Sequence, residues 1–338
     1  MYRIDNSTAV PTLPAPKQPG PTSPGFFTNG NQALGAPPTV VDDDWANALQ
    51  EELCYVIEQS GLVLNKLDRT QLFQALGRLT RVRLQQDTTF YIAPSPLGND
   101  NNNGLSPETP WSDATYGYNW LRDRIDPNGH QVFIQCAGGT YAPATFEFPI
   151  VGGPFTLIGN ETDPSQVVFF NPAGTAIIGI DGAVATIRGV TVRASGPSSG
   201  GHGIDCQASR IAFNNIFFDT CAGAQMAVDM GGSLAGALGP ATTYTIIGSA
   251  NAHCLAVHAG LVQVLGQVTI SGNPTFPGGF VSVTAAQSDW VGAQFNGTAH
   301  GPRYNARAGG IITTETGNPN GFFPGDVAGI NDGTGIIT

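Results

Sequence analysis

Short runs of alternating apolar and polar residues recur through the second half of the chain. The clearest runs occupy residues 184–194, 210–220, 242–248 and 261–272. Each run places β-branched or aromatic residues at alternate positions, which is the pattern of a strand with one buried face. Glycine, asparagine, serine or proline bounds each run, so we expect a turn after every strand.

Four apolar positions in these runs share one step, because Val192, Phe218, Tyr244 and Ile270 lie 26 residues apart. A constant step of about 20–50 residues is typical of stacked repeats. A single coil cannot bury its apolar face, whereas stacked coils share a continuous core. We therefore predict a mainly β chain built on a parallel β-solenoid. The alternative is a β-sandwich, whose strands would follow one another at a spacing of about 8–12 residues.

The segment that precedes the strands predicts two amphipathic helices. The first covers about residues 44–60 and begins after Asp42, Asp43 and Asp44, which supply a cap and a favourable charge. The second begins at Asp68, which is expected to form a capping box with Gln71. The two helices form either a small helical domain or a three-chain helical neck. The first helix carries one apolar stripe, made of Trp45, Leu49, Leu53, Val56 and Ile57.

Composition narrows the picture further. Residues 1 to about 25 are rich in proline, most densely over 11–25, and predict an extended or polyproline II arm. Charged residues make up 12% of the chain, about half the usual share, which suggests that surface is hidden in an oligomer. The net charge of −11 argues against nucleic acid as a partner. No apolar run approaches the roughly 18 residues of a membrane helix, so membrane insertion is not expected.

The cysteine pattern excludes two further classes. The five cysteines are odd in number and form no CxxC pair, so neither a disulfide framework nor a zinc site is predicted. We expect them to be reduced thiols that pack as small apolar residues in the stack of coils.

Several sequence blocks carry a resemblance to a known family. FFTNGN, PPTVVDDDWANALQEELCYVIEQSGLVLNK and DRTQLFQAL follow one another within residues 26–76. Together they resemble the N-terminal segment of tail fibre and tailspike proteins of tailed bacteriophages. In that family the segment attaches the fibre to the virion. The resemblance implies attachment through the apolar residues Phe26, Phe27, Trp45, Leu49, Leu53, Val56 and Ile57.

A second stretch, residues 88–111, is similar to the beginning of the right-handed parallel β-helix of pectate-lyase-like phage proteins. A short helix over about residues 112–125 would cover the open end of that solenoid. The implied organisation is an attachment region (1–86), a neck and cap (87–130), a parallel β-helix (131–300) and a distal, trimerising segment (301–338). Phe322 and Phe323 would supply apolar contacts between three chains.

Candidate catalytic residues are few. Asp181, Asp205 and Asp229 are separated by steps of 24 residues, one coil each, and His202 lies close to Asp205 in sequence. Two carboxyls at a defined separation are what glycoside hydrolysis requires. The alternative interpretation makes these acids turn and surface residues, and we expect no catalysis.

One loop offers a candidate metal site. Asp100 and Asn102 in GNDNNNG could supply the oxygen ligands that calcium prefers. The alternative is a tight turn that satisfies its own amides. No metal and no other cofactor is predicted.

The resemblance and the repeat together predict a structural protein of the phage virion, made in the cytoplasm of the bacterial host. We expect a homotrimer whose N-terminus docks on tail or portal-proximal proteins. Its β-helix would face a host cell-surface glycan or another fibre protein. Two alternatives remain at this point: a tailspike that depolymerises surface polysaccharide, and a connector that carries a separate receptor-binding protein.

Overall fold

The computed structural model describes residues 2–18, 25–237 and 242–338. The chain divides into two compact units, Met1–Val82 and Arg83–Thr338, which are called the N-terminal unit and the β-helix unit below. Residues 19–24 of the predicted proline-rich arm lie outside the described residues.

The N-terminal unit contains the two predicted helices, α1 (Asp43–Gln59) and α2 (Gln71–Leu79), and a 3-10 helix, Gln32–Leu34. Asp42 caps α1 by accepting a hydrogen bond from the backbone N–H of Trp45 at 3.0 Å. The start predicted for α2 is wrong by three residues. Asp68 instead accepts a hydrogen bond from the backbone N–H of Thr70 in a turn before the helix. Short polar side chains stabilise such turns as readily as they cap helices.

The interior of this unit is small. Cys54 and Ile57 of α1 and Ala75 of α2 are fully buried, and few other apolar residues join them. All five cysteines of the chain are free and buried, as predicted. Cys54, however, lies in α1 and not in the stack of coils, because the apolar face of a helix buries a thiol as well as a strand does.

Residues 2–18 do not stand free, because ion pairs hold them against α1. The guanidinium of Arg3 lies 2.8 Å from Glu51 and 2.8 Å from Glu58, which are seven residues apart and therefore on one face of the helix. These hydrogen bonds raise the pKa of Arg3 and lower the pKa of both carboxyls. Lys17 pairs with Asp42 in the same way. The arm is thus held by the chain's own acidic helix.

The β-helix unit is a parallel β-solenoid of about eight coils, which confirms the predicted fold class. Three parallel sheets form its faces. Sheet I has ten strands: Thr88–Ile92, Val132–Cys136, Phe155–Ile158, Val184–Arg188, Arg210–Asn214, Ser233–Gly236, Leu261–Val264, Gln287–Asp289, Ile311–Thr313 and Ile336–Ile337. Sheet II has seven: Gly139–Tyr141, Val167–Asn171, Thr191–Ala194, Phe217–Cys221, Thr243–Ile246, Gln267–Ile270 and Gln294–Asn296. Sheet III has eight: Ala144–Glu147, Ile177–Ile180, Ile204–Gln207, Ala224–Asp229, Ala252–Val257, Gly279–Thr284, Tyr304–Arg307 and Ile330–Asn331.

The predicted 26-residue step holds for one coil and fails for the next two. Val192 pairs with Phe218 as expected, but Phe218 pairs with Ile246 and Tyr244 pairs with Val268. Pairing is set by the inward side chains of each strand, whereas the turns take up differences in length. Tyr244 still points inward and is buried, with its ring 5.5 Å from that of Phe218.

A helix covers the first coil, as predicted. Helix α3 (Ala114–Arg124) begins after Asp113, whose side chain accepts a hydrogen bond from the backbone N–H of Tyr116 at 2.8 Å. Tyr118 and Leu121 are fully buried, and the ring of Tyr118 lies 4.9 Å from that of Phe146 in the first strand of sheet III. The helix therefore closes the apolar interior at this end.

The sheets extend beyond the predicted limits of 131–300 at both ends. Sheet I already begins at Thr88, and strands after residue 300 pair with sheets I and III. Phe323, expected to contact other chains, is buried in the core, and Phe322 packs partly against it. The turn of helix α4 (Pro319–Phe322) brings both rings over the interior. The remaining short elements are Val82–Arg83, Ile125–Asp126 and the 3-10 helix Pro164–Gln166.

Candidate functional site

The three acids predicted to stack do not form a ladder. Asp205 lies within its strand, with Ile178 and Ala227 as its neighbours in sheet III. Asp229 lies opposite Gln207, two positions further along the sheet. Asp181 lies in the turn after its strand, in the left-handed conformation with a φ of 52°. Successive coils differ in length. Residues with equal spacing in sequence therefore do not lie at the same position along neighbouring strands.

Asp205 and Asp229 nevertheless share the outer face of sheet III. They lie on adjacent strands and two positions out of register, which places their Cα atoms about 8 Å apart. Asp205 is 5% exposed although it points outward. Burial raises the pKa of its carboxyl and the nearby charge of Asp229 adds to this, whereas a hydrogen bond from Gln207 and the neighbouring His202 oppose it. The bond from Gln207 Nε2 to Asp205 Oδ2 measures 2.8 Å.

His202 belongs to the loop over residues 195–203, which leads into the sheet III strand Ile204–Gln207. Its Nδ1 accepts a hydrogen bond from the backbone N–H of Ala224 at 2.9 Å, so the ring carries its proton on Nε2. The ring packs directly on Gly223, where a Cβ atom would come within 2.7 Å of Nδ1. Glycine at position 223 therefore leaves room for the His202 ring. The contact and the hydrogen bond together hold the ring in a fixed orientation.

A second histidine joins the cluster and was not predicted. His258 Nδ1 lies 2.7 Å from Asp229 Oδ1 and donates to it, because a carboxylate can only accept. Asp229 also accepts from the backbone N–H of Met230 at 2.6 Å. His258 and Asp229 are 29 residues apart, and only the pairing of neighbouring coils brings them together. No local sequence signal could have shown it.

The arrangement places two carboxyls on adjacent strands, and burial raises the pKa of one of them, Asp205. Two carboxyls at a defined separation are what glycan cleavage requires. Asp181 is remote from this pair in register, and His202 is already engaged through Nδ1.

The candidate metal loop satisfies its own polar groups. Asp100 Oδ1 accepts from the backbone N–H and from the hydroxyl of Ser112, at 2.8 and 2.9 Å. Asn102 Nδ2 donates to the carbonyl of Pro110 at 2.8 Å. Within the described ranges, no group of three or more His, Cys, Asp or Glu side chains is placed to hold a metal ion.

The predicted attachment residues are mostly on the surface of the N-terminal unit. Phe26 is 98% exposed, and Phe27 packs edge-on against Trp45 with ring centroids 5.1 Å apart. Trp45 and Leu49 are about half exposed. Leu53 and Val56 are half-buried. Ile57 is fully buried, so it stabilises the unit itself and is not available to a partner.

The exposed apolar surface of this unit is larger than the predicted stripe. Among the described residues, eighteen large apolar side chains of the N-terminal unit are exposed, against twelve in the β-helix unit, which is about three times as long. Residues missed from the sequence include Tyr55, Val63, Leu67 and Phe73. Large exposed apolar patches are in general characteristic of interaction sites. Of the helices in the described ranges, none is long and apolar enough to span a membrane.

The comparisons with known proteins give a partial match. The chain is similar, in its N-terminal part, to an uncharacterized protein of Escherichia coli (strain K12) called StfP. The two are 38% identical over 104 residues, which cover 29% of this chain and 47% of the relative. The chain thus spans about half the length of the curated relative that it matches. No family model matches the chain, and no solved structure matches it at a significant level.

Proposed function

We propose that this chain is a structural protein of a phage virion, a tail fibre or tailspike that takes part in adsorption to the host surface. The observation that carries the proposal is the division of the chain into two unlike parts. A small helical unit exposes apolar side chains at high density, and a parallel β-solenoid follows it. A protein that must dock on a partner and also present a rigid surface needs both.

Three further observations support the proposal. Residues 26–76 resemble the attachment segment of phage fibres. The similarity to StfP lies in the same part of the chain. The exposed residues Phe26, Trp45 and Leu49 offer the apolar contacts that docking on a tail or portal-proximal protein requires. On this proposal the β-helix unit faces a host surface glycan or another fibre protein, and the chain assembles as a homotrimer.

The test uses virions of the phage that carries this chain. Antibody raised against the β-helix unit should label the tail of purified particles. A deletion of residues 2–82 should leave a folded solenoid that is missing from the particles. Replacement of Phe26 and Leu49 by serine should lower incorporation strongly, whereas replacement of the exposed Leu105 of the β-helix unit should not. Virions that lack the chain altogether yet contain every other tail protein, or that still incorporate the deletion variant, would contradict the proposal.

Glycan cleavage is the second candidate, and the pair Asp205 and Asp229 is the observation that favours it. Purified protein would be incubated with host capsule and lipopolysaccharide, and new reducing ends counted with time. A structural role predicts no release. In that case Asp205→Asn should be neutral or mildly stabilising, because it removes a buried charge beside a like charge. A depolymerase should release new reducing ends steadily. Asp205→Asn should then abolish this release, whereas His258→Gln should leave it measurable.

A further inference from the structure

One corner of the solenoid, where sheet III turns into sheet I, is built in an unusual way. In successive coils a residue other than glycine takes the left-handed backbone conformation there. The residues are Phe148, Asp181, Ala208, Met230, His258, Ala285 and Ala308, with φ between 45° and 59°. Backbone hydrogen bonds tie several of them to the next coil, for example from Gly182 to Ala208 at 2.8 Å. The turns therefore form a continuous ladder along one edge.

Two of these positions carry bulky apolar side chains that point into solvent. Phe148 is 49% exposed and Met230 is 65% exposed. A residue with a Cβ atom loses about 1–2 kcal/mol in the left-handed conformation, and glycine or asparagine would avoid most of that cost. Met230 is mostly exposed and gains little from burial within its own chain, whereas Phe148 is half-buried and has the guanidinium of Arg122 over its ring at 5.8 Å. Val151 and Val184, at 63% and 48% exposure, continue the same apolar line.

The corner also contains a recess beside its projections. A groove of about 470 Å³ lies next to Met230, and Gly182, Val184, Ala208 and Gly231 form part of its lining. Ala208 projects only a methyl group, so the coil below Met230 leaves room for a side chain. Met230 itself borders the recess, and Ser209 and Arg210 add polar groups to its lining, so a projection and a recess adjoin on the same edge.

Charges on the two sides of the corner are complementary. Asp181 is exposed on the side of sheet III, and Arg210 is exposed where sheet I begins. Among the described residues, neither has an ion-pair partner within 4.0 Å. Two copies of the chain that lie parallel around an axis along the solenoid keep the same coils at the same height. The acidic side of one copy then faces the basic side of the next.

We propose that this corner, defined by Phe148, Val151, Val184 and Met230, is the surface through which the β-helix units of identical chains pack about a rotation axis. Met230 of one copy enters the recess of its neighbour, and Asp181 of one copy pairs with Arg210 of the next. Closed rotational symmetry satisfies every projection and every recess, as it does in most homo-oligomers. The inference rests on the proposed homotrimer and adds to it the interface.

Cysteine cross-linking tests this in the full-length protein. All five native cysteines are buried, so an introduced surface cysteine is the accessible thiol. Met230→Cys and Val184→Cys should each give a disulfide-linked dimer band under mild oxidation. Val291→Cys, at an exposed apolar position in the turn between sheets I and II, should give none. Val184→Cys lies at the start of a strand and needs no left-handed backbone, so it remains informative if Met230→Cys folds poorly.

A second arm measures the role of Met230. Asparagine tolerates the left-handed conformation, so Met230→Asn keeps the turn and removes the apolar projection. Added to Val184→Cys, it should slow cross-linking at least tenfold, whereas Val291→Asn should leave the rate unchanged. If light scattering shows a trimer but the corner cysteines do not cross-link, the assignment of this corner falls and the homotrimer stands. If the wild-type chain is a monomer, both fall.

Discussion

At the scale of single residues, the interior of the solenoid contains a polar cluster, His253 with Gln225 and Tyr244, that only the fold explains. His253 is fully buried among aromatic rings, including that of Phe280 at 4.8 Å. Its Nδ1 lies 2.7 Å from Gln225 Oε1, and its Nε2 lies 2.8 Å from the hydroxyl of Tyr244. Gln225 Nε2 already donates to the carbonyl of Gly248, so Oε1 accepts from Nδ1–H of His253, and Nε2 of the neutral ring accepts from the hydroxyl of Tyr244. Burial lowers the pKa of His253 to about 3.

The buried imidazole predicts a loss of stability in mild acid. In the unfolded chain histidine titrates near pH 6.5, so between about pH 6.5 and pH 3 the unfolded state binds the extra proton. The free energy of unfolding should then fall by up to about 1.4 kcal/mol for each pH unit below 6.5. Denaturant melts at pH 6.5 and 4.5 measure it. His253→Gln should flatten this slope, and equal slopes for wild type and His253→Gln would contradict the assignment. Asp205 contributes to the pH slope with the opposite sign. This contribution is the same in wild type and in His253→Gln, so it cancels when one slope is subtracted from the other.

A second residue-scale prediction concerns Gly236, which permits a close approach in the core. A Cβ atom built there would lie 2.1 Å from the ring of Phe213, and that ring packs against Phe218 and Tyr244. Gly236→Ala should therefore destabilise the β-helix unit by about 1–3 kcal/mol, as overpacking does elsewhere. Gly200→Ala, where a Cβ atom would meet nothing within 4 Å, is the matched control. Equal thermal midpoints for the two variants would show that the core yields at this position.

At the scale of elements, α3 matters because it covers the open interior of the first coil. Asp113 caps the helix, and Asp123 lies on its exposed side. Asp113→Ala should cost about 1 kcal/mol in the free energy of unfolding, the usual loss for an N-cap. Asp123→Ala should change it by less than about 0.5 kcal/mol, as surface substitutions do. Equal free energies of unfolding for the two variants would show that the Asp113 cap does not stabilise α3 on the first coil.

The elements of the N-terminal unit are held together in a different way. Its interior is small, and surface ion pairs, such as those of Arg3 with Glu51 and Glu58, hold the arm to α1. Exposed pairs of this kind contribute little to stability and weaken with salt. The β-helix unit instead shares one continuous apolar core along all its coils. The two units should therefore differ in stability.

At the scale of the whole molecule, this difference predicts two separate unfolding transitions. Calorimetry of the full chain should show a lower one, sensitive to salt, from the N-terminal unit and a higher one from the β-helix unit. A chain that begins at Arg83 should retain the higher transition with an unchanged midpoint, because the core of the solenoid lies within Arg83–Thr338. A single cooperative transition in the full chain, or a lowered midpoint in the shortened one, would show that the units stabilise each other.

The sequence alone determined which segments form strands and helices. Alternation at every second position is local, so the runs around Val192 and Phe218 predicted strands, and the step of 20 to 50 residues predicted their stacking. The cap of α1 at Asp42 and the position of α3 were likewise readable, because capping involves residues within one turn. The exposed aromatic residue Phe26 was found through a resemblance and not through its pattern.

Only the tertiary structure decided register, burial and pairing between coils. Turns absorb residues freely, so the equal spacing of Asp181, Asp205 and Asp229 did not become a ladder. Alternation alone would leave the outward-facing Asp205 in water, yet the fold buries it. Phe323 looked like surface outside the repeat and is core, because the solenoid continues to that point. Strand identity depends on neighbours along the chain, whereas these features depend on residues a full coil away.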